Sequence, residues 1–227
     1  MTGWALVLGG RSSYPRPETA MPAAADRTEH RDFLNRYYGV SRHFYDLTRR
    51  YYLFGREGVI EKLLSEEWSK LIEVGVGTGR NLDLLHKGRP SAQYAALDAC
   101  DEMLGHARKR LPWLSAIHGF AEDADMTEPF GGERPDRVLF SYCLSMVAEP
   151  VAALQNAQAS LAPGGKVVVV DFCDLEGLPG PAAKGLRKWL EWFHVEPIRA
   201  ELLEGQGADV RFGPMRYFIV GELPALD

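Results

Sequence analysis

The stretch Leu71-Ile72-Glu73-Val74-Gly75-Val76-Gly77-Thr78-Gly79-Arg80-Asn81 constrains the chain more than any other. It reads as a buried apolar strand with one acid near its end, a loop with glycine at every second position, and a helix start. Glycine enters backbone conformations closed to residues with a Cβ and lets the main chain approach a neighbour closely. A helix start leaves N–H groups unpaired at the mouth of such a loop. Together these features predict a cradle for a nucleotide-like cofactor in an α/β fold. A dinucleotide fingerprint has glycine at its first, third and sixth positions. Counted from Gly75, the sixth position is Arg80, and the third glycine falls at Gly79 instead. Arg80 does not suit a helix start that must take a pyrophosphate against bare backbone. An ordinary glycine-rich strand–helix turn would use the same residues, so the rest of the chain has to decide.

A chain of 227 residues, 46% hydrophobic and 25% charged, suits one globular domain with an appended element. Its net charge of −5 argues against broad nucleic-acid binding, which needs a basic footprint. Cys100, Cys143 and Cys173 are widely spaced without a CxxC pair, which suits small buried thiols and neither a disulfide frame nor a metal site. No stretch reaches the ~18 to 20 uninterrupted apolar residues of a membrane span.

Residues 1–26, with Gly9-Gly10, Pro15, Pro17 and Pro22, read as a disordered or loosely packed extension without the basic leader of a signal peptide. From Arg27 to Arg56 the character changes. Seven arginines face three acids, a net of +4, and eight aromatic residues from Phe33 to Phe54 interleave with them at approximate helical spacing. Such a segment suits either an anionic membrane surface or a helical cap with solvated arginines. An amphipathic helix is expected over Gly58 to Lys70. Residues 27–70 thus form a helical lid, and residues 71–227 the cofactor-binding domain.

Beyond the loop, strands and helices alternate. The second strand, Ala92 to Leu97, ends at Asp98, 19 residues past Gly79, where a carboxylate can accept both hydroxyls of a ribose. Ala99 and Met103 follow on the same side. A short third strand, Ser115 to His118, leads to three acids in four positions, among them Asp123, followed by the small Ala124, a pattern that a plain solvated loop would also show. The apolar strand Asp136 to Tyr142 ends in Ser141-Tyr142-Cys143-Leu144-Ser145-Met146, polar groups that project into a ligand crevice. Helices are expected over Pro150 to Leu161 and Ala182 to His194, around the β-branched strand Lys166 to Phe172. Ala208 to Phe212 and Tyr217 to Val220 flank Gly213-Pro214 and predict an antiparallel hairpin at the sheet edge. The whole is a doubly wound α/β sheet, parallel but for its last strand.

The acid-led alternating glycine loop resembles the first motif of class I S-adenosylmethionine (SAM) methyltransferases, with their Rossmann-like sheet. The resemblance implies that Glu73 supports the loop and the methionine end, and that Gly75, Gly77 and Gly79 make room for SAM. It implies a third contact, to adenine, from the acidic loop at Asp123. Several further stretches resemble the N-methyltransferases of bacterial betaine-lipid synthesis, which convert diacylglyceryl homoserine to diacylglyceryl trimethylhomoserine. These are Tyr45-Asp46-Leu47-Thr48-Arg49-Arg50-Tyr51-Tyr52-Leu53-Phe54-Gly55-Arg56, Ser141 to Met146, Val170-Asp171-Phe172, Trp189-Leu190 and Phe193-His194-Val195. Val76 departs from the small residues common at its position in the loop.

That resemblance implies a membrane-lipid substrate, docking of Arg27–Arg56 on an anionic surface, and a cytoplasmic enzyme peripheral to the inner face of the membrane. A candidate protein partner is the upstream enzyme that makes diacylglyceryl homoserine. Methyl transfer from a sulfonium is an in-line displacement, so alignment supplies much of the rate. A tyrosine wall tolerates the growing cation, at ~0.5 to 2 kcal/mol per ring. Tyr45, Tyr52 and Tyr142 are the candidates, Tyr45 and Tyr142 as catalytic residues, with Ser145 beside the substrate and Arg49 for its carboxylate. Core or lid packing would use the same tyrosines. No residue stands out as a general base. Phosphatidylethanolamine, a soluble small amine, and a non-catalytic SAM-binding role remain as alternative readings.

Overall fold

The computed structural model describes residues 53–191 and 195–226. The extension 1–26, the Arg27–Arg56 segment up to Tyr52, and Phe193-His194 lie outside the described residues.

Seven strands, β1 (Lys70–Val74), β2 (Gln93–Asp98), β3 (Ser115–His118), β4 (Arg137–Ser141), β5 (Lys166–Phe172), β6 (Asp209–Phe212) and β7 (Phe218–Pro224), form one sheet in the order β3-β2-β1-β4-β5-β7-β6. All neighbouring pairs from β3 to β5 are parallel. β7 runs antiparallel to both β5 and β6, so the expected hairpin is present. The reversed strand sits inside the sheet, however, and β6 forms the edge. β7 is the better choice for the interior because Ile219 and Leu223 bury completely, whereas β6 exposes three of its four residues.

Helices α1 (Arg56–Ser65), α2 (Arg80–Gly88), α3 (Asp101–Arg110) and α5 (Gly180–Glu191) share one face of the sheet, and α4 (Pro150–Ser160) and α6 (Ala200–Glu204) cover the other. Alternation along the strands decides which residue faces which layer. Leu71, Leu139, Val168 and Val170 join the first core, and Ile72, Val138, Phe140, Val167 and Val169 the second. The four consecutive buried valines of β5 are intelligible only between two apolar layers, and each contributes ~1.5 to 3 kcal/mol relative to exposure.

The expected helix over Gly58 to Lys70 is shorter and starts earlier. Gly55, in the left-handed region at φ 78°, opens it at Arg56. It ends at Ser65 because a later part of the chain takes its last carbonyls. The Arg89 guanidinium donates to the carbonyl of Leu64 at 3.2 Å, to that of Trp68 at 3.5 Å and to that of Glu66. The Trp68 indole donates to the Leu63 carbonyl at 2.6 Å, and Arg89 covers its ring at 4.9 Å. Arg89→Ala would strip several half-buried acceptors at once. It is expected to cost ~1 to 3 kcal/mol, read as a lower urea midpoint with an unchanged denaturant slope.

This topology leaves a switch point between β1 and β4, where the loops after the two strands diverge toward opposite faces of the sheet. In open α/β sheets that is where a ligand crevice opens. No helix among the described residues is long and apolar enough to cross a membrane.

Candidate active site

A cleft opens at the carboxyl ends of β1, β2 and β4. Its walls include Gly75 and Gly77 of the loop, Asp98, Ala99 and Met103 after β2, Phe120 to Glu122 after β3, and Tyr142, Cys143 and Met146 after β4. Five of the residues read from the sequence as cofactor contacts therefore meet on one surface. Asp98 ties them together. One carboxylate oxygen accepts the Gly77 N–H at 3.0 Å and the other accepts the Cys100 N–H at 2.9 Å. A carboxylate offers about four lone-pair sites, so acceptor capacity remains for hydroxyls arriving in the cleft.

Two of the loop glycines also answer to packing within the protein. A Cβ on Gly75, at φ 67°, would lie 2.5 Å from the Cβ of Cys143. The Cys143 thiol in turn donates to the Val74 carbonyl at 3.0 Å. A Cβ on Gly79, at φ 76°, would lie 2.8 Å from Leu111 beyond the end of α3. These two glycines make room for other parts of the protein. The Gly75 N–H donates to the Leu97 carbonyl at 2.7 Å, which continues the β1–β2 ladder into the loop.

On the other side of the loop lies a smaller, polar cavity walled by Arg56, Glu73, Thr78, Arg80, Asn81 and Ser141. Glu73 is 1% exposed and accepts from the Asn81 amide at 2.6 Å. Asn81 Oδ1 and Ser141 Oγ are buried without a hydrogen-bond partner among the described residues. Such atoms cost ~1 to 3 kcal/mol each unless something satisfies them. A buried guanidinium (Arg56) and a buried carboxylate (Glu73) on one small cavity suit the zwitterionic end of an amino acid. As sequence, Arg56 reads with the solvated or membrane-facing arginines of its segment, whereas it is buried and lines this cavity. The available signal was Gly55, which turns the chain so that Arg56 begins a helix beside the loop.

Tyr142 is 1% exposed, sits at φ 55°, and its hydroxyl donates to the Phe54 carbonyl. Its ring meets Phe172 edge-on at 4.8 Å. Burial, reinforced by the nearby Asp171, pushes the phenol well above its ordinary pKa. Burial therefore favours the neutral phenol. Ser145 lines a neighbouring groove with Val147 and Ala148, and its N–H donates to Asp171 at 3.0 Å. Asp171, fully buried at the end of β5, also accepts the Phe172 N–H at 2.8 Å and braces the turn after β4. Asp123 and Ala124 lie outside the cleft lining, and the acid that this loop contributes to it is Glu122. The Asn156 amide fixes the loop by donating to the Ala121 and Ala124 carbonyls, each at 3.0 Å. Tyr45, Arg49 and Tyr52 lie outside the described residues.

Residues 45–205 match the model of a family described as a methyltransferase domain. The chain is 27% identical over 178 residues to a demethylmenaquinone methyltransferase of Thermus thermophilus, a match spanning 76% of this chain and 77% of that protein. It is 33% identical over 110 residues to a malonyl-[acyl-carrier protein] O-methyltransferase of Xylella fastidiosa, covering 47% of this chain and 35% of that one. Among solved structures it is similar in fold to the plantazolicin methyltransferase BamL, crystallised with S-adenosylhomocysteine. The TM-score there is 0.61 at 16% identity, over 83% of this chain and 78% of that chain.

Proposed function

This chain belongs to the methyltransferase-domain family, and from that premise we propose that it methylates the headgroup amine of diacylglyceryl homoserine. It is a SAM-dependent methyltransferase; the acceptor is the proposal. The observation that supports it concerns the stretch Tyr45–Arg56, which carries the betaine-lipid resemblance. The described end of that stretch belongs to the site, since Phe54 accepts the Tyr142 hydroxyl and Arg56 lines the polar cavity beside Glu73. A segment that carries family likeness and whose described end borders the active site is well placed to select the acceptor.

Bound here, SAM supplies an electrophilic methyl carbon on a sulfonium. Asp98 would hold the ribose hydroxyls, and Phe120 to Glu122 would border the adenine. Glu73, Asn81 and Ser141 suit the ammonium of the methionine end, with Arg56 for its carboxylate. The loops after β4 and β5, braced by Asp171, fix the approach of the amine, and alignment is where most of the acceleration arises. Tyr142 acts as a neutral wall. Protons from the first two methylated amines leave to solvent.

Tyr142→Phe is accordingly expected to lower kcat by less than ~10-fold, the loss of one buried hydrogen bond, and to leave the shape of the pH–rate profile unchanged. Disappearance of the ascending limb, the rise of rate with pH, would make the phenol the base after all. The acceptor is tested by incubating the chain and SAM with vesicles of diacylglyceryl homoserine, vesicles of phosphatidylethanolamine, or soluble primary amines, and reading methyl additions by mass. Three additions to diacylglyceryl homoserine are expected. Methylation of soluble amines alone would refute a lipid acceptor, and methylation of phosphatidylethanolamine alone would replace the carboxylate headgroup with a phosphate one.

A further inference from the structure

Six large apolar side chains stay exposed among the described residues: Phe54, Trp113, Val151, Phe212, Met215 and Leu226. Three of them, Phe54 at 55%, Phe212 at 42% and Met215 at 57%, gather around the β6–β7 turn. That turn lies at the carboxyl end of β5, since Phe172 pairs with Phe218 and Phe212 with Ile219. It is therefore on the same edge of the sheet as the cleft. Phe54 reaches it through an edge-on contact with Tyr217 at 5.2 Å.

The turn is held, and held in an uncommon conformation. Met215 and Arg216 are consecutive non-glycine residues at positive φ, 54° and 50°. Residues in this region persist only where their surroundings over-determine them, and they concentrate at functional positions. The surroundings here are plain. The Arg216 Nε donates to both oxygens of Asp174, at 2.8 and 3.0 Å, and its guanidinium lies 3.9 Å over the Phe212 ring. The Leu175 N–H donates to the Arg216 carbonyl at 3.1 Å. Gly177 sits under the turn so closely that a Cβ there would lie 2.5 Å from Met215 Cα. The backbone of Met215 is thus clamped while its side chain stands in solvent.

Charge on the helix beside the turn runs against the sign of the whole chain. Of the acids near the turn, Asp174 and Asp209 are engaged by Arg216 and Arg211, and Glu176, exposed beside Gly177, also acts on Arg216. Helix α5, joined to the turn where Arg187 donates to the Asp174 carbonyl, exposes Lys184, Arg187 and Lys188 against Glu191, in a protein of net charge −5. Apolar side chains beside a cationic helix face, on a firm loop near the active-site mouth, fit one kind of partner. We propose that Phe54, Phe212 and Met215 form a wedge that enters the headgroup region of an anionic membrane, with the cations of α5 at the lipid phosphates. The proposal rests on the lipid-acceptor reading, to which it adds the surface that brings the cleft to its substrate.

The test is co-sedimentation of the full chain with phosphatidylglycerol–phosphatidylcholine vesicles free of diacylglyceryl homoserine, so that docking is read apart from acceptor choice. The double variant Phe212→Ser with Met215→Ser is expected to lower vesicle partitioning at least fivefold. Lys184→Glu with Lys188→Glu should lower it on the anionic vesicles and leave it unchanged on phosphatidylcholine alone. Circular dichroism and SAM affinity should match the wild type; should the serine pair fail to fold, Met215→Glu takes its place with the same expectation. Wild-type protein that ignores vesicles, or apolar variants that partition as wild type does, would overturn the proposal. So would a wild-type dimer that these variants dissolve while vesicle binding persists, because the turn would then join two copies. A chain that docks normally and methylates only soluble amines would refute the acceptor and leave the docking surface standing.

Discussion

Gly75→Ala is expected to unfold the site from within. The new methyl would lie 2.5 Å from the Cβ of Cys143 and 3.0 Å from its sulfur, at a backbone φ of 67°. Cys143 cannot retreat easily, because its thiol donates to the Val74 carbonyl and it is packed in the second core. Overpacking of this kind costs ~1 to 3 kcal/mol, and a non-glycine residue in the left-handed region adds ~1 to 2. The sum is about 2 to 5 kcal/mol, equivalent to a fall in Tm of roughly 10 °C for a chain of this size. SAM affinity should drop more than tenfold, because the loop that carries Gly77 toward Asp98 is displaced. Two comparisons isolate the cause. Gly105→Ala, in α3 with nothing within 4 Å of the added methyl, should stabilise by ~0.5 to 1 kcal/mol. Cys143→Gly in the Gly75→Ala background should recover the steric part and leave the backbone part. A Gly75→Ala protein with wild-type Tm and affinity would show that the loop tolerates the shift.

The reason this glycine matters was only partly visible in the sequence. Alternating glycines after a strand announce a tight loop, and the loop, the doubly wound sheet and the place of Asp98 at the end of β2 followed from local pattern and spacing. What the glycine faces did not. Cys143 lies far along the chain, and only the parallel pairing of β4 beside β1 brings the two strand ends together. The misread end of α1 has the same origin. Its periodicity runs on past Ser65, but Arg89 removes the carbonyls a longer helix would use. Arg56 shows a subtler limit. Seven arginines in one aromatic segment look alike as sequence, and Gly55 is the local signal that Arg56 turns inward. Among the three acids after β3 the pattern could not separate neighbours one residue apart, because the choice depends on how Asn156 pins the loop. Signals that reside in one element were legible. Those that arise where two elements meet were not.

Asp98→Ala carries the second large effect, and it separates two roles for one carboxylate. As a staple, Asp98 accepts the Gly77 and Cys100 amides at 3.0 and 2.9 Å and so joins the glycine loop to the end of β2. As a ligand, it would also accept the hydroxyls of the SAM ribose. Loss of the staple alone leaves two amides that water in an open cleft can partly satisfy. That predicts a modest destabilisation of ~1 to 3 kcal/mol and an affinity within a few-fold of wild type. Loss of both roles removes hydrogen bonds to a charged acceptor worth ~1.5 to 3 kcal/mol each, so the dissociation constant of S-adenosylhomocysteine should rise at least 100-fold by calorimetry. Asp98→Asn should fare little better. Its amide keeps one acceptor oxygen, but the NH2 group must then face the N–H of either Gly77 or Cys100, donor against donor. The expected order of affinity is therefore wild type far above both variants, with the asparagine protein nearer to alanine than to aspartate. An affinity unchanged in Asp98→Ala beside a lowered Tm would leave Asp98 as a staple alone and would send the search for the ribose contact to the other polar groups of the cleft.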